Sequence, residues 1–233
     1  MGVLVTDGNT AGCDVATFDV DGLLLDCDGV LVDSEPIVNR VLAGQLEAIG
    51  LSMPEEEVMR RFVGLTREGD LALAEELLGR PLPADFAPRW DAALVEALRS
   101  EVRAIDGVID LIGRLGIPFC VASNGTRDRL HLTLETAGLL PLFKARIFCA
   151  ADVAQPKPAP DLFLHAAKTM GTPPARTAVI EDTPTGARAG VAAGMTVFGF
   201  VGGTSSTRAA LEAEGARVFE SMAALAPLIG AQR

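Results

Sequence analysis

The chain has 233 residues, a formal net charge of −11 and an apolar fraction of 49%, which suit one large globular domain or a domain that carries an insert. The acidic surplus argues against broad contact with nucleic acid or an anionic membrane, because both require basic surface. Any phosphate group would have to be held locally, by a few cationic side chains, backbone amides or a divalent cation.

The N-terminal residues, the apolar runs and the cysteines indicate the cellular compartment in which the protein acts. No apolar run approaches the roughly 20 residues that span a membrane, and the chain does not start with basic residues followed by an apolar segment. Cys13, Cys27, Cys120 and Cys149 have neither metal-ligand spacing nor the density of a disulfide framework. We therefore expect a cytoplasmic protein with reduced thiols and without nucleic-acid or membrane partners.

The first strong pattern is an apolar run, Leu23 to Leu25, that ends at Asp26-Cys27-Asp28-Gly29. A short apolar run closed by glycine is typical of a buried strand in a parallel sheet. Backbone alternation would turn Asp26 and Asp28 toward one pocket and Cys27 into the core. Two acids at the end of a buried strand suggest a cation and a reaction, and the alternative is a pair of solvated acids.

The next segment, from Glu35 to about Arg103, has apolar residues at helical spacing. Proline-containing breaks at Met53-Pro54 and at Arg80 to Pro83 divide it. Four helices are predicted: Ile37 to Ile49, Glu55 to Phe62, Thr66 to Leu78 and Asp85 to Arg99.

After Ile105 apolar strands alternate with helices, which predicts a parallel sheet covered by helices. The predicted strands are Pro118 to Ala122, Arg146 to Cys149, Thr177 to Ile180 and Thr196 to Phe200. The predicted helices are Val108 to Leu115, Arg127 to Ala137, Pro160 to Met170 and Pro184 to Ala193.

The predicted organisation has three parts. Residues 14–33 and 104–233 form an α/β core, because Leu23 to Leu25 must join the later strands in one sheet. Residues 34–103 form an all-helical domain over the carboxyl edge of that sheet. Residues 1–13 are polar and aperiodic, and we expect a flexible leader without a role.

Polar residues follow the later strands at the edge where open α/β sheets bind ligands. Ser123-Asn124-Gly125 offers a hydroxyl and backbone N–H groups at the start of a helix, and its alternative is a turn with a helix cap. Lys157 lies between prolines that stiffen its loop, and its alternative is an exposed lysine. Glu181 and Asp182 end a strand, and their alternative is helix capping by Asp182 or Thr183.

This ordered set of residues closely resembles the four motifs of the haloacid dehalogenase-like superfamily. The resemblance covers Leu23 to roughly Phe200, and the helical segment after the first strand is similar to that of sugar-phosphate phosphatases and β-phosphoglucomutase. It implies a Rossmann-like core with helices on both faces of the sheet and an inserted helical cap domain.

The resemblance also implies roles for individual residues. Asp26 matches the nucleophile that forms an aspartyl-phosphate, and Asp28 matches the general acid and base. Ser123 and Lys157 match the groups that hold the phosphoryl oxygens, and Asn124 is assigned to substrate binding beside them.

A Mg²⁺ site is the expected cofactor site. The resemblance assigns its ligands to the carboxylates of Asp26, Glu181 and Asp182 and the backbone carbonyl of Asp28. Two like charges 4 Å apart repel by about 4 kcal/mol at an effective dielectric near 20, and one lysine cannot neutralise several carboxylates. Zinc is disfavoured because no thiolate cluster is present and His131 and His165 fall within predicted helices.

Three functional classes remain after this comparison. Asp28 argues against the dehalogenase branch, whose members lack the second acid. A phosphatase of a small phosphate monoester, by resemblance a sugar or sugar-acid phosphate, is favoured over a mutase, because Val38 stands where the mutase has a histidine. A noncatalytic phosphate-binding relative is disfavoured by the intact acids.

One arginine in the helical segment is a candidate for substrate recognition. Phe62 to Glu68 resembles a cap segment whose arginine contacts substrate in the mutase, so Arg67 is expected to bind a distal anionic or hydroxyl-rich group. The alternative is a solvated arginine in the first turn of a helix.

The first motif has a second possible register, because Phe18-Asp19-Val20-Asp21-Gly22 also fits it. We choose Asp26 and Asp28, since a fully apolar strand precedes them and the next residues lead directly into the helical segment. Asp19 and Asp21 are then expected to form a polar lead-in or turn.

Overall fold

The computed structural model describes residues 18–62, 65, 67–203 and 206–229. Within them, six parallel strands form one sheet: β1 (Gly22–Leu25), β2 (Phe119–Ser123), β3 (Ile147–Cys149), β4 (Thr177–Glu181), β5 (Thr196–Phe200) and β6 (Arg217–Phe219). Their order across the sheet is β3-β2-β1-β4-β5-β6. The first strand thus lies at the centre, and the direction of winding reverses beside it.

Five described helices lie between β1 and β2, and the first four are α1 (Glu35–Ala48), α2 (Glu55–Phe62), α3 (Arg67–Leu78) and α4 (Phe86–Glu101). The other helices alternate with the later strands: α5 (Val108–Gly113), α6 (Arg127–Thr136), α7 (Leu140–Phe143), α8 (Asp161–Met170), α9 (Pro184–Ala192), α10 (Arg208–Ala213) and α11 (Met222–Leu225).

The sheet is buried on both faces, and β1 shows why its sequence is fully apolar. Leu23 and Leu25 pack against one cluster of buried residues, to which α5, α6, α7 and α11 contribute. Leu24 packs on the opposite face with residues of α8, α9 and α10. A strand covered on both faces needs apolar side chains at every position. The prediction of a Rossmann-like parallel sheet with helices on both faces is confirmed.

The helical insert, which we define as residues 35–101, has a core of its own. Leu46, Val58, Phe86 and Trp90 are among its buried side chains. The predicted helix bounds agree with the observed ones to within two residues, apart from the predicted start at Thr66, which lies outside the described residues.

The two chain segments that link the insert to the sheet lie side by side. Val32 forms an antiparallel bridge with Ala104, and the Asp33 N–H donates to the Arg103 carbonyl at 3.0 Å. The predicted limits of the helical segment, 34 and 103, adjoin these contacts, and its division from the core as a separate domain stays a prediction.

Two expectations about the chain as a whole are addressed by the described residues. None of the helices among them combines the length and apolar character that a membrane crossing requires. Cys27, Cys120 and Cys149 are buried free thiols, whereas Cys13 and the predicted leader lie outside the described residues.

Candidate active site

The carboxyl edge of three neighbouring strands brings the predicted motifs together. Asp26 directly follows β1, Ser123 is the last residue of β2, and Glu181 is the last residue of β4. Strands β2, β1 and β4 are adjacent in the sheet, so Asp26, Ser123 and Glu181, which are far apart in sequence, lie at the same edge.

The turn after β1 places Cys27 in the core, as predicted from backbone alternation. Cys27 is fully buried, and its Sγ lies 3.7 Å from the Thr133 Oγ1. Burial raises the pKa of this thiol well above its usual value, which makes it a poor nucleophile. Gly29 has a φ of +77°, a conformation that glycine adopts without the steric cost of a Cβ. The chain therefore leaves the strand sharply, with Asp26 and Asp28 on either side of a core residue.

Lys157 bridges two of the carboxylates. Its Nζ donates to Asp26 Oδ1 at 2.6 Å and to Glu181 Oε1 at 2.5 Å, and it lies 4.6 Å from the centre of the Phe163 ring. The lysine side chain is only 4% exposed, so the ion pairs are shielded from water and salt. Asp26 Oδ2 accepts no hydrogen bond from the described residues.

Burial and charge act against each other at these groups. Burial raises the pKa of the Asp26 carboxyl to about 7, Lys157 opposes the increase, and the Glu181 carboxylate adds to it. Burial alone would lower the pKa of the Lys157 ammonium, but Asp26 and Glu181 raise it above its usual value. The lysine therefore stays charged, and further positive charge near Asp26 would favour its ionised form.

The loop after β2 positions Lys157. Asn124 Oδ1 accepts from the Lys157 N–H at 3.0 Å, and Asn124 Nδ2 donates to the Lys157 carbonyl at 3.0 Å. Ser123 is buried, and its Oγ accepts from the Gly125 N–H at 3.2 Å. The structure thus uses the Asn124 amide to hold the lysine loop, a contact that sequence reasoning did not anticipate.

Asp28 has two partners that the motifs do not contain. Its Oδ1 accepts from Arg129 Nη2 at 3.1 Å and from the Ser34 hydroxyl. Ser34 occupies the N-cap position of α1, yet its side chain makes no capping hydrogen bond, because the hydroxyl points to Asp28. A capping contact stabilises a helix by about 1 kcal/mol, and α1 lacks this stabilisation because the Ser34 hydroxyl binds Asp28 instead.

Glu181 is held from two sides. Its Oε1 accepts from Lys157, and its Oε2 accepts from the Thr183 hydroxyl at 2.9 Å and from the Thr183 N–H at 3.3 Å. Thr183 also caps α9, because its Oγ1 accepts from the Gly186 N–H at 3.1 Å. A Cβ on Gly186 would lie 1.9 Å from the Glu181 carboxylate, so only glycine leaves room for this side chain.

The donor set can be tested against a divalent cation. Asp26, Glu181 and Asp182 are all buried, at 8%, 1% and 1% exposure, and Lys157 forms ion pairs with Asp26 and Glu181, so its single charge cannot balance both of these carboxylates. As the side chains of the described residues stand, no group of three or more His, Cys, Asp or Glu residues is arranged to hold a metal. Since Glu181 is engaged by Lys157 and Thr183, the carboxylates that fit best are Asp26 and Asp182. Mg²⁺ is commonly held by one or two carboxylates, with water and substrate phosphate completing its coordination, so the residues present fit it.

The alternative register of the first motif lies at the other end of β1. Arg176 donates to both oxygens of Asp19, at 2.8 and 2.9 Å, and to both oxygens of Asp21, at 2.5 and 2.7 Å. Asp19 and Asp21 precede the strand, whereas Asp26 and Asp28 follow it. The structure therefore separates this acidic pair from Lys157 and Glu181 by the length of the strand.

Arg67 makes its observed contacts within the insert. Its guanidinium stacks 3.7 Å from the centre of the Trp90 ring, and its Nη2 donates to Asp91 Oδ1 at 2.6 Å and to the Ala87 carbonyl at 3.1 Å. Its Nη1 is buried and has no hydrogen-bond partner among the described residues. Arg67 is neither simply solvated nor joined to the residues at the sheet edge.

The fold and the motif geometry agree with a comparison to known protein families. A family model of the haloacid dehalogenase-like hydrolases matches residues 20–194. The chain belongs to this family. The match covers β1, the helical insert, the strands that carry Ser123 and Glu181, and the loop that carries Lys157.

Relatives in the haloacid dehalogenase-like family have related activities. The chain is 31% identical to 6-phosphogluconate phosphatase of Escherichia coli, over 78% of this chain and 80% of that protein. It is 32% identical to hexitol phosphatase A of the same organism, over 80% of this chain and 82% of that protein. A HAD family hydrolase of Deinococcus radiodurans, solved with bound phosphate and sodium, has a TM-score of 0.78 and 38% identity, covering 89% of this chain and 93% of that chain. The expectation of a HAD-like phosphatase is confirmed by these relationships.

Proposed function

We propose that this protein is a Mg²⁺-dependent phosphatase that hydrolyses a small phosphate monoester, a sugar or sugar-acid phosphate, through an aspartyl-phosphate intermediate. The observation that carries the proposal is the buried Lys157 ammonium between Asp26 and Glu181 at the centre of the carboxyl edge. A fixed cation next to a carboxylate suits phosphoryl transfer, in which charge on the phosphoryl oxygens must be balanced.

The reaction has two steps that use the same residues. An oxygen of the Asp26 carboxylate attacks phosphorus, the bond from phosphorus to the ester oxygen breaks, and Asp28 gives its proton to the departing alkoxide. Asp28 then takes a proton from water as that water attacks the aspartyl-phosphate, which releases inorganic phosphate and restores Asp26. The Lys157 ammonium and the Ser123 hydroxyl bind phosphoryl oxygens in both steps.

Mg²⁺ would be held by Asp26 and Asp182, with the Asp28 backbone carbonyl and with Glu181 nearby. When bound, it supplies positive charge that offsets the surplus of buried carboxylates and the charge of the phosphate. The role of the chain is to place oxygen ligands only, which favours Mg²⁺ over softer metals such as zinc.

Selectivity is assigned to residues 34–103, which we propose to act as a cap domain over the edge. The named activities of the two E. coli relatives support a sugar or sugar-acid phosphate as substrate. Arg67 is the proposed contact for the distal part of the substrate, since its Nη1 has no partner in the described residues. Buried free thiols at Cys27, Cys120 and Cys149 support action in the cytoplasm.

Arg67 can be tested apart from its contacts inside the insert. Arg67→Ala is expected to lower kcat/KM for the preferred sugar phosphate at least tenfold more than for p-nitrophenyl phosphate, because the core handles the phosphoryl group common to both. Asp91→Ala is the matched control, since it removes the ion pair with Arg67 and keeps the guanidinium. Equal losses on both substrates would assign Arg67 a structural role.

The proposal is tested with a panel of phosphorylated metabolites assayed for phosphate release with Mg²⁺. Asp26→Asn should eliminate turnover and phosphoenzyme, and Asp19→Asn should leave both largely intact. Labelled phosphate recovered on Asp19 would overturn the register. Conversion of a sugar phosphate into its isomer without phosphate release would identify a mutase instead.

A further inference from the structure

The two oxygens of the Asp28 carboxylate have different surroundings. Arg129 Nη2 and the Ser34 hydroxyl both donate to Oδ1, whereas Oδ2 accepts no hydrogen bond from the described residues. A carboxylate can rotate about the bond to its Cβ, so two donors on one oxygen fix the direction of the other. The lone pairs of Oδ2 are left for a proton.

Arg129 occupies a position that is unfavourable for helix stability. It lies in the first turn of α6, at the positive end of the helix dipole, where a cation is destabilising. Its Nε is buried without a hydrogen-bond partner, which adds a desolvation cost. Arg127, two positions earlier, instead forms a two-pronged ion pair with Asp152 at 2.5 and 2.8 Å. The presence of an arginine at position 129 is therefore not explained by the stability of helix α6.

The two donors to Asp28 belong to different parts of the fold. Ser34 immediately precedes α1 of the helical insert, so its contact depends on where the insert lies. Arg129 belongs to the sheet core, because α6 follows β2, the neighbour of β1. The Thr126 hydroxyl accepts from the Arg129 N–H at 3.4 Å, which fixes the start of the helix and hence the direction of the arginine side chain. Arg129 can therefore hold Asp28 wherever the insert lies.

We propose that Arg129 is a positioning residue for proton transfer, holding Asp28 Oδ1 so that Oδ2 faces the ester oxygen. The proposal rests on the phosphatase function proposed above. Asp28 Oδ2 gives its proton to the ester oxygen as the bond from that oxygen to phosphorus breaks. Oδ2 later accepts a proton from the water that attacks phosphorus. Arg129 itself gains and loses no proton.

The test compares substrates that differ in their need for an acid. The leaving group of an alkyl phosphate is a strongly basic alkoxide, which needs a proton from an acid. The leaving group of p-nitrophenyl phosphate is nitrophenolate, which departs without a proton. The value of kcat/KM reports steps through the first phosphoryl transfer, so it isolates the acid role of Asp28 from its later base role. The variants are Arg129→Met, Arg129→Lys and, as a matched control on the same helix, Arg127→Met.

Arg129→Met should lower kcat/KM for the best sugar phosphate of the panel by about 10²-fold, the lower end of what general acid catalysis contributes. The loss for p-nitrophenyl phosphate should be less than about threefold, Arg129→Lys should recover part of the lost rate, and Arg127→Met should show no preference between the substrates. Equal losses on both substrates, or no loss on either, would overturn the proposal.

Asp28→Asn separates a failure of this inference from a failure of the proposed function. If Asp28→Asn discriminates between the two substrates and Arg129→Met does not, Arg129 has no positioning role. If Asp28→Asn also fails to discriminate, Asp28 is not the acid, and both proposals fall. Should Arg129→Met not fold, the same comparison is made with Arg129→Lys, which keeps the charge but shortens the reach to Asp28. A selective loss on the sugar phosphate then supports the inference, and equal rates to wild type overturn it.

Discussion

Asn124 pairs with both backbone polar groups of Lys157, accepting from its N–H and donating to its carbonyl, each at 3.0 Å. The side-chain amide thus substitutes for the neighbouring backbone that a proline-rich loop cannot supply, since prolines lack the N–H. Asn124, in the loop after β2, therefore fixes the backbone position of Lys157 and the point from which its side chain extends. This contact gives Asn124 a task in the structure besides the substrate binding expected from sequence.

Asn124→Ala should therefore weaken both folding and catalysis. Loss of two hydrogen bonds, each worth about 0.5–1.5 kcal/mol, should lower the free energy of unfolding by about 1–3 kcal/mol. Urea denaturation measures this loss, and kcat with p-nitrophenyl phosphate measures the displacement of Lys157. Gln155→Ala, at an exposed amide in the same loop, is the control and should change neither. A raised KM with unchanged unfolding would instead assign Asn124 to substrate binding alone.

Asp182→Asn should have opposite effects without and with metal. In excess chelator the variant should melt at or above the temperature of the wild type, because the charge of a buried carboxylate next to the Glu181 carboxylate is removed. Mg²⁺ at 100 times its Kd should stabilise the wild type by about 2.7 kcal/mol and the variant by far less. Thermal melting with and without Mg²⁺ checks both. A variant with the same Mg²⁺-dependent shift as wild type would remove Asp182 from the site. Asp152→Asn, a carboxylate paired with Arg127 away from Lys157, should leave the shift intact.

Gly186→Ala should displace Glu181 and so release Lys157. The added Cβ would lie 1.9 Å from the Glu181 carboxylate, and such overpacking costs about 1–3 kcal/mol of stability. A shift of about 1 Å in a positioned group can cost about 10²-fold in rate, so kcat/KM should fall strongly. Gly44→Ala is the matched control in the interior of α1, where an added Cβ meets nothing within 4 Å. It should stabilise the protein by about 0.5–1 kcal/mol and leave activity unchanged. Normal kinetics for Gly186→Ala would show that Glu181 is dispensable.

The Arg176 cluster should make stability depend on acid. Hydrogen bonds from Arg176 lower the pKa values of Asp19 and Asp21 below the ordinary value of 3.8. Carboxylates with lowered pKa values stabilise the fold above their unfolded pKa, and the effect is lost as the pH falls through the folded pKa. Arg176→Gln should therefore lower Tm at pH 7, and the difference from wild type should close as the pH falls below 3.8 and through the lowered pKa values of Asp19 and Asp21. Melting curves across this range test the sign, and a gap that persists in acid would contradict it.

Much of the fold could be predicted from sequence because its strands are apolar runs and its long helices have clear periods. Strand β5 and helix α2 were predicted with the observed bounds. Helices α7, α10 and α11 and strand β6 were not individually predicted, because three to six residues leave little of a period to detect, although β3 and α5 of similar length were predicted. Their burial comes from distant parts of the chain, as with Phe219 and Met222 against the main cluster.

The residues of the candidate site likewise include some that could be predicted from the sequence and some that could not. Asp26, Lys157 and Glu181 could be placed together from sequence, because each follows a strand of one sheet. Arg129 was missed, since a charged residue in the first turn of a helix is typical of exposed surface and its contact with Asp28 spans 101 residues. Ser34 precedes a helix, a position typical of capping, and only the structure shows its hydroxyl turned to Asp28.

The two segments that link the helical insert to the sheet lie side by side at Val32 and Ala104. This arrangement affects how such an enzyme can diversify. Strands β1 and β2 pair directly, with Leu24 beside Cys120, whatever segment joins them. A longer, shorter or unrelated segment attached at the same two points leaves the strand order and the residues at its edge unchanged. Under the function proposed above, substrate preference can therefore be exchanged as a single module, while the phosphoryl-transfer chemistry is inherited intact.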